Sequence, residues 1–270
     1  MKKTSILFTL LPSTICAVCL CLMTCVVSAQ LLTPYASYDF DGNALDSSAN
    51  GFNGTINSAT AATDRFGNAN SAMSFSGRDS ISLPINYNSI QNFTVSMWLM
   101  RPQNGYSYVV ANDGGFRGFL VKWGWPVDGT EELSFYAGNG NSWYANPYYN
   151  NIPNNQWFNL VGTIDSSGNV SQYINGVNVA SVVMPPPTVD LSSGGNTIVS
   201  FSSGWNSPYE GSLGSIDDLQ FYNTTLSSTQ VSDLYAAQSV PEPSSYALLL
   251  LSGAASLWVL KRRKGTSNSL

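Results

Sequence analysis

The sequence contains no histidine, and its only cysteines (Cys16, Cys19, Cys21 and Cys25) lie close to the start of the chain. The lack of histidine excludes a Ser–His–Asp triad and a histidine-ligated metal site. Beyond Cys25 there can be no disulfide, thiol nucleophile or thiolate-bound metal. Basic residues are also scarce: residues 30–240 hold five of them, against fifteen acidic residues. Without a basic stripe, the chain has no surface suited to nucleic acid, and that class of partner is excluded.

The first 29 residues have the parts of a secretory signal peptide. Lys2 and Lys3 are followed by a long apolar run and by the small-residue pattern Val27-Ser28-Ala29. We predict cleavage after Ala29 and export of the remainder. Cys25 follows Met23-Thr24 instead of small residues, so a lipid anchor at this cysteine is the lesser alternative.

Residues 30–239 have the pattern of one domain built from short strands. β-Branched and aromatic residues alternate between clusters of Asn, Gly, Ser and Pro, which favours strands separated by turns. Asn175-Gly176 predicts a two-residue type I′ hairpin. One internal helix is expected at 227–237, begun by a capping box of Ser227 and Gln230. We expect strands at 72–76, 80–83, 93–100, 118–123, 133–137, 157–164, 170–174, 177–183 and 197–201, and therefore an all-β, two-sheet antiparallel jelly-roll sandwich.

The stretch 214–222 contains an acidic pair within a strand pattern. Alternation predicts that Asp217 shares the core-facing side with Leu219 and Phe221, and that Asp218 points the other way. A buried carboxylate needs a cation, a set of hydrogen-bond donors or a position at the rim. The turn at 41–50 offers oxygen-bearing side chains of the kind that calcium prefers. The same residues also suit simple Asx-turns, and both interpretations stay open.

The last 31 residues form a separate unit. Val240-Pro241-Glu242-Pro243 precedes an apolar run at about 246–260, and a basic cluster follows. Basic residues beyond an apolar helix predict a cytoplasmic C-terminus, here the short tail 265–270. Such a segment is also typical of an ordinary single-pass anchor.

Residues 138–157 form a polar insert with several aromatic side chains. Sugars stack on aromatic rings while amides bond to their hydroxyl groups, so this composition favours glycan contact. The alternative is that some of these rings belong to the core and the others simply cover a surface of low charge. The candidate rings in and near this insert are Trp123, Trp125, Trp143, Tyr144, Tyr148 and Tyr149.

Two resemblances extend these interpretations. The tail closely resembles the PEP-CTERM sorting signal of Gram-negative bacteria, which implies recognition by an exosortase-type membrane enzyme after a transient stay in the inner membrane. Its motif residues would be Pro241, Glu242, Pro243, Lys261, Arg262 and Arg263, within a signal at 240–264.

The ordered segments F-D-G-N-A-L-D-S-S-A-N-G, F-T-V-S-M-W, N-Q-W-F-N-L-V-G-T-I-D and G-S-I-D-D-L-Q-F-Y resemble the laminin G-like, concanavalin A-type jelly roll of secreted bacterial proteins. That resemblance implies one structural calcium ion between the first and last segments. Its ligands would be Asp41, Asn43, Asp46 and Asp217.

Catalysis is not indicated by the carboxylates of the domain. Glucanases of this fold carry E-x-D-x-x-E on one strand, and no such string occurs here. We therefore expect an exported, non-catalytic protein of the cell envelope or extracellular matrix that binds polysaccharide. A purely structural or adhesive matrix protein is the first alternative, and a glycoside hydrolase is the second.

Overall fold

The computed structural model describes residues 32–85, 87, 90–101, 107–113, 115–124, 133–145, 149–152, 154–185, 189–192, 195–202 and 213–241. Every element below belongs to the unit Thr33–Leu270. The predicted signal peptide and the apolar tail lie outside the described residues. No helix within those ranges combines the length and the apolar character needed to cross a membrane.

The described residues form fifteen strands and one helix. In chain order the strands are β1 (Ala36–Tyr38), β2 (Thr55–Asn57), β3 (Thr60–Ala62), β4 (Ala72–Phe75), β5 (Ser80–Leu83), β6 (Phe93–Met100), β7 (Ser107–Asp113), β8 (Gly118–Trp123), β9 (Leu133–Gly138), β10 (Trp143–Ala145), β11 (Phe158–Ile164), β12 (Asn169–Ile174), β13 (Val177–Val183), β14 (Thr197–Ser202) and β15 (Gly214–Tyr222). The helix, α1, spans Ser228–Gln238. Each strand predicted from the sequence is confirmed to within one residue at either end.

The strands form two sheets. The first has the order β13-β12-β11-β6-β15-β4-β3, and β1 pairs with a second part of β15. The second has the order β10-β9-β8-β7-β14-β5-β2. The named strands pair antiparallel, and the inner faces of both sheets share one buried cluster that includes Phe93, Phe119, Phe135 and Phe221. The all-β, two-sheet sandwich is therefore confirmed.

Strand β9 is held against the first sheet by two residues of that sheet. Gly162 on β11 faces the ring of Phe135, where a side chain would overlap it. Gln172 on β12 is fully buried, and its amide accepts the Phe135 N–H at 2.9 Å and donates to the Leu133 carbonyl at 3.3 Å. These contacts hold the inner face of β9, so its outer side chains have a defined position.

Local signals at the hairpin and the helix are confirmed. Asn175 and Gly176 both have positive φ (49° and 78°), as a type I′ turn requires. At the start of α1, the Ser227 side chain accepts the Gln230 N–H, and the Gln230 side chain accepts the Ser227 N–H. Val231 and Leu234 on α1 are buried, and Tyr235 stacks on Trp98 of β6. The helix thus lies against the outer face of the first sheet.

The predicted orientation of Asp217 is wrong, because β15 contains a β-bulge. Asp217 lies opposite Trp98 on β6, and the pairing resumes only at Gln220 opposite Ser96. Asp218 has a φ of 45° within the irregular segment. The extra residue shifts the alternation, so Leu219 keeps its place in the core while Asp217 lies on the outer face with Trp98.

Candidate functional site

The partner of Asp217 is Arg65, which lies in the turn after β3. One guanidinium nitrogen of Arg65 is 2.5 Å from the Asp217 carboxylate, and the other terminal nitrogen is 2.6 Å from that of Asp218. The guanidinium carbon lies 4.4 Å from the ring centre of Phe66 and 4.5 Å from that of Trp98. The guanidinium of Arg65 is therefore the cation that pairs with the buried Asp217 carboxylate.

The same guanidinium also contacts the end of α1. The Nε and one terminal nitrogen of Arg65 donate to the Gln238 carbonyl at 3.1 and 2.9 Å. The Gln238 side chain in turn accepts the Trp98 indole N–H at 3.1 Å. Arg65 thus joins the turn after β3, the bulge in β15 and the last residue of the helix. We call Arg65, Asp217, Asp218 and Gln238 the arginine clasp.

The clasp borders a cavity of about 510 Å³ with a strongly acidic lining. Its carboxylates come from Asp39, Asp41, Asp64, Asp217 and Asp218. Burial, and then the neighbouring Asp218 charge, raise the pKa of Asp217, whereas the adjacent Arg65 guanidinium lowers it and favours the charged carboxylate.

The four predicted calcium ligands do not form one ligand set. Asp41 and Asp217 line the same cavity, but Asp46 is engaged by its own turn. Its Oδ1 accepts the N–H groups of Ser37 and Ser48 at 3.1 and 2.9 Å, and its Oδ2 accepts that of Phe52 at 3.0 Å. These hydrogen bonds agree with the alternative interpretation, in which the side chains of the 41–50 segment form Asx-turns.

Asn43 is also bonded within that turn. Its side chain donates to the Asp41 carbonyl and accepts the Leu45 N–H, both at 2.9 Å. Across the described residues, no three His, Cys, Asp or Glu side chains are grouped to hold a metal ion. With the Asp217 carboxylate engaged by Arg65, these residues do not fit a shared calcium site.

The predicted glycan-binding rings divide between the two faces of the second sheet. Trp123 is only 1% exposed and packs edge-on against Phe158, with the guanidinium of Arg101 4.1 Å from its ring centre. Its predicted role as a sugar platform is therefore wrong, because alternation on β8 turns it into the core. Tyr144 and Tyr149 are half-buried and also pack against the core. Trp125 and Tyr148 lie outside the described residues.

Among the predicted rings that the structure describes, Trp143 lies on the outer face. It pairs with Gly138 on β9, whereas its neighbour Tyr144 pairs with the core residue Ala137. Alternation along β9 places Tyr136 on the same outer face, between the core residues Phe135 and Ala137. Trp143 and Tyr136 are both half-buried.

Two further residues extend this face across the sheet. Lys122 on β8 pairs with Ser134 on one side and with Tyr108 of β7 on the other. Its ammonium group lies 5.6 Å from the ring centre of Tyr136, and both Lys122 and Tyr108 are half-buried. We call Tyr108, Lys122, Tyr136 and Trp143 the outer aromatic row.

One end of the outer aromatic row adjoins the tip of the β7–β8 turn. Phe116 is 50% exposed there and has a φ of 65°, an uncommon conformation for an aromatic residue. Its carbonyl accepts the Gly140 N–H at 2.8 Å and occupies the space beside Gly138, the pairing partner of Trp143. The backbone of Phe116 therefore lies beside the outer face at Gly138.

Sequence reasoning missed Arg65, Tyr108, Lys122, Tyr136 and Phe116. Tyr136 and Lys122 carried a usable signal, since each alternates with core residues in a predicted strand. Arg65 carried none, because its partners lie more than 150 residues further along the chain.

Comparisons with known proteins agree with this architecture. A family model described as the concanavalin A-like lectin/glucanases superfamily matches residues 75–232. No curated protein sequence matches the chain.

Several solved structures of botulinum neurotoxin share the fold. The serotype D binding domain is 16% identical with a TM-score of 0.59, covering 76% of this chain and 52% of that chain. The serotype D ligand-binding domain in complex with N-acetylneuraminic acid is 18% identical with a TM-score of 0.59, covering 76% and 51%. A structure of neurotoxin type C, whose cell entry depends on interaction with two ganglioside molecules, is 14% identical with a TM-score of 0.58, covering 76% and 51%. The chain spans about half the length of these solved chains, and at such identities the likeness establishes the fold alone.

Proposed function

The chain belongs to the concanavalin A-like lectin/glucanases superfamily, and on that basis we propose that it is a non-catalytic domain that binds polysaccharide through the outer aromatic row. The observation that carries the proposal is the set of half-buried rings of Tyr108, Tyr136 and Trp143 on one sheet face. Aromatic faces stack on the C–H faces of sugars, and nearby polar groups bond to hydroxyls. The neurotoxin domains support a binding role, since one of them holds N-acetylneuraminic acid.

A glycan array with the purified protein tests this proposal. We expect Trp143→Ala and Tyr136→Ala each to weaken binding by about tenfold or more, which is the loss typical of an aromatic hot-spot residue. Tyr235→Ala is the matched control, because that half-buried ring lies over the first sheet. Thermal unfolding of each variant shows whether a loss of binding is a loss of folding. Absence of binding to every glycan would favour the alternative of a structural or adhesive matrix protein.

The environment of the acidic pair supports the non-catalytic part of the proposal. Both Asp217 and Asp218 are ion-paired with Arg65, and Asp217 also accepts the Asp218 N–H at 2.8 Å. A glycosidase needs one carboxyl group free to donate a proton and a second free to attack or to activate water. Release of reducing sugar from polysaccharides that is abolished by Asp217→Asn or Asp218→Asn would contradict this and favour a hydrolase.

We further propose that the protein is exported to the envelope or matrix of a Gram-negative-type bacterium and sorted by its tail. Support comes from the sequence pattern alone, since of the motif residues only Pro241 lies within the described ranges. An exosortase-type enzyme would then be the processing partner. We expect Pro241→Ala combined with Glu242→Ala to retain the full-length protein in the inner membrane. Cell fractionation measures this, and normal surface delivery of the double variant would contradict a processing role.

A further inference from the structure

We propose that the guanidinium of Arg65 is the permanent cation of the arginine clasp, so that folding of the domain is independent of calcium. The inference is separate from sugar binding, because the clasp lies at the first sheet and the outer aromatic row on the second. It follows from the disagreement between the predicted calcium ligands and the contacts that the structure shows.

The contacts of Arg65 match both the hydrogen-bonding edge and the flat faces of a guanidinium. Four hydrogen bonds use three nitrogens of the group, two to carboxylates and two to the Gln238 carbonyl. Phe66 and Trp98 lie within cation–π distance of the group. The Arg65 side chain is only 9% exposed. A planar fork of this kind matches carboxylate and carbonyl acceptors in a way that a point charge does not.

A calcium ion would need a different arrangement of the same residues. Calcium takes six to eight oxygen ligands. Here one oxygen of Asp217 accepts a hydrogen bond from the Arg65 guanidinium, and the other accepts one from the Asp218 N–H. Both oxygens of Asp46 accept hydrogen bonds from backbone N–H groups. A calcium ion bound by Asp217 would have to displace the buried guanidinium of Arg65, which is also positively charged. The clasp therefore supplies the positive charge at the junction of β15 and α1 without a metal.

Thermal unfolding of the purified protein, with excess calcium chloride or with excess EDTA, tests the inference directly. We expect the unfolding midpoint to be the same in both conditions. A structural ion present at 100 times its dissociation constant would instead raise the folding equilibrium constant about 100-fold. A midpoint that rises with calcium in the wild-type protein would overturn the proposal.

Substitutions test whether Arg65 has the stated role. We expect Arg65→Met to lower the folding equilibrium constant by about a hundredfold or more, as removal of one partner from a buried ion pair does. Arg117→Met is the matched control, because the Arg117–Asp190 pair is half exposed and its loss should cost about fivefold or less. Equal effects of the two substitutions would overturn the proposal.

If Arg65→Met fails to fold, Arg65→Lys provides the comparison. Lysine keeps the charge but cannot bridge both carboxylates and the Gln238 carbonyl in one plane. We expect a midpoint below that of the wild type and below that of Arg117→Met. A lysine variant as stable as the wild type would show that a simple positive charge suffices and would contradict the guanidinium-specific clasp.

Discussion

Gly162→Ala tests how closely the two sheets approach at β9, the strand that carries Tyr136. An ideal Cβ at position 162 would lie 2.7 Å from three carbons of the Phe135 ring. Nonbonded carbon atoms prefer separations of about 3.5 Å or more, so the ring or the strand must move by about 0.8 Å. Phe135 has no exposed surface, and Phe119 packs beside it with ring centres 6.3 Å apart. Because the ring has little room to move, we expect destabilisation of about 2 kcal/mol, within the range for overpacked cores.

Urea unfolding followed by tryptophan fluorescence measures this cost. Gly195→Ala is the matched control, since no atom of the described residues lies within 4 Å of its ideal Cβ and its φ is not positive. We expect that control to change the free energy of unfolding by less than about 0.5 kcal/mol. Phe135→Leu should reduce the cost of Gly162→Ala, with a coupling energy of about 1 kcal/mol in a double-mutant cycle. A neutral Gly162→Ala, or strictly additive effects, would refute the close approach of the two residues.

Four further substitutions, at three positions, test contacts that hold the domain. Asp46→Ala should cost about 2 kcal/mol by leaving three backbone N–H groups without their acceptor, as urea unfolding would show. Burial alone would raise the pKa of Asp46, but hydrogen bonds from Ser48, Ser37 and Phe52 outweigh it and lower the pKa. The Asp46 contribution is therefore complete above the ordinary carboxyl pKa and is lost as the pH falls through the lowered one, so Asp46→Asn should flatten the acid limb of the stability profile below about pH 4. Ser227→Ala should cost about 1 kcal/mol by removing the capping box of α1, and an unchanged melting temperature would contradict that role. Gln172→Leu should cost about 1–3 kcal/mol because the buried Phe135 N–H loses its partner, and a wild-type urea midpoint would show that the bridge is dispensable.

The strand pattern was predictable because it depends on neighbours in sequence. In β6, Phe93, Val95 and Met97 alternate with polar residues, and these three side chains are buried in the shared core. Asn175-Gly176 specified its hairpin because both residues tolerate positive φ. The same alternation with the core residues Phe119 and Val121 indicates that Trp123 faces the core, in disagreement with its predicted role as a sugar platform.

The orientation of the acidic pair Asp217-Asp218 could not be predicted from its neighbours in sequence. Period-two alternation predicted an inward Asp217, but one extra residue at the bulge exchanges the two faces of a strand. The sequence of residues 214–222 does not predict this bulge. Asp residues can adopt positive φ, but only the fold shows that Asp218 does so here.

By itself, the sequence determined the class of fold, the positions of most strands, the helix with its cap and the exclusion of histidine and thiol chemistry. These properties follow from composition, periodicity and turn residues, all of which act over a few neighbouring positions. Only the tertiary structure decided that Arg65 is the partner of Asp217, 152 residues away, and that Trp143 and Tyr136 share an outer face while Trp123 does not. Such pairings depend on sheet register and on a bulge, which arise from the packing of distant segments.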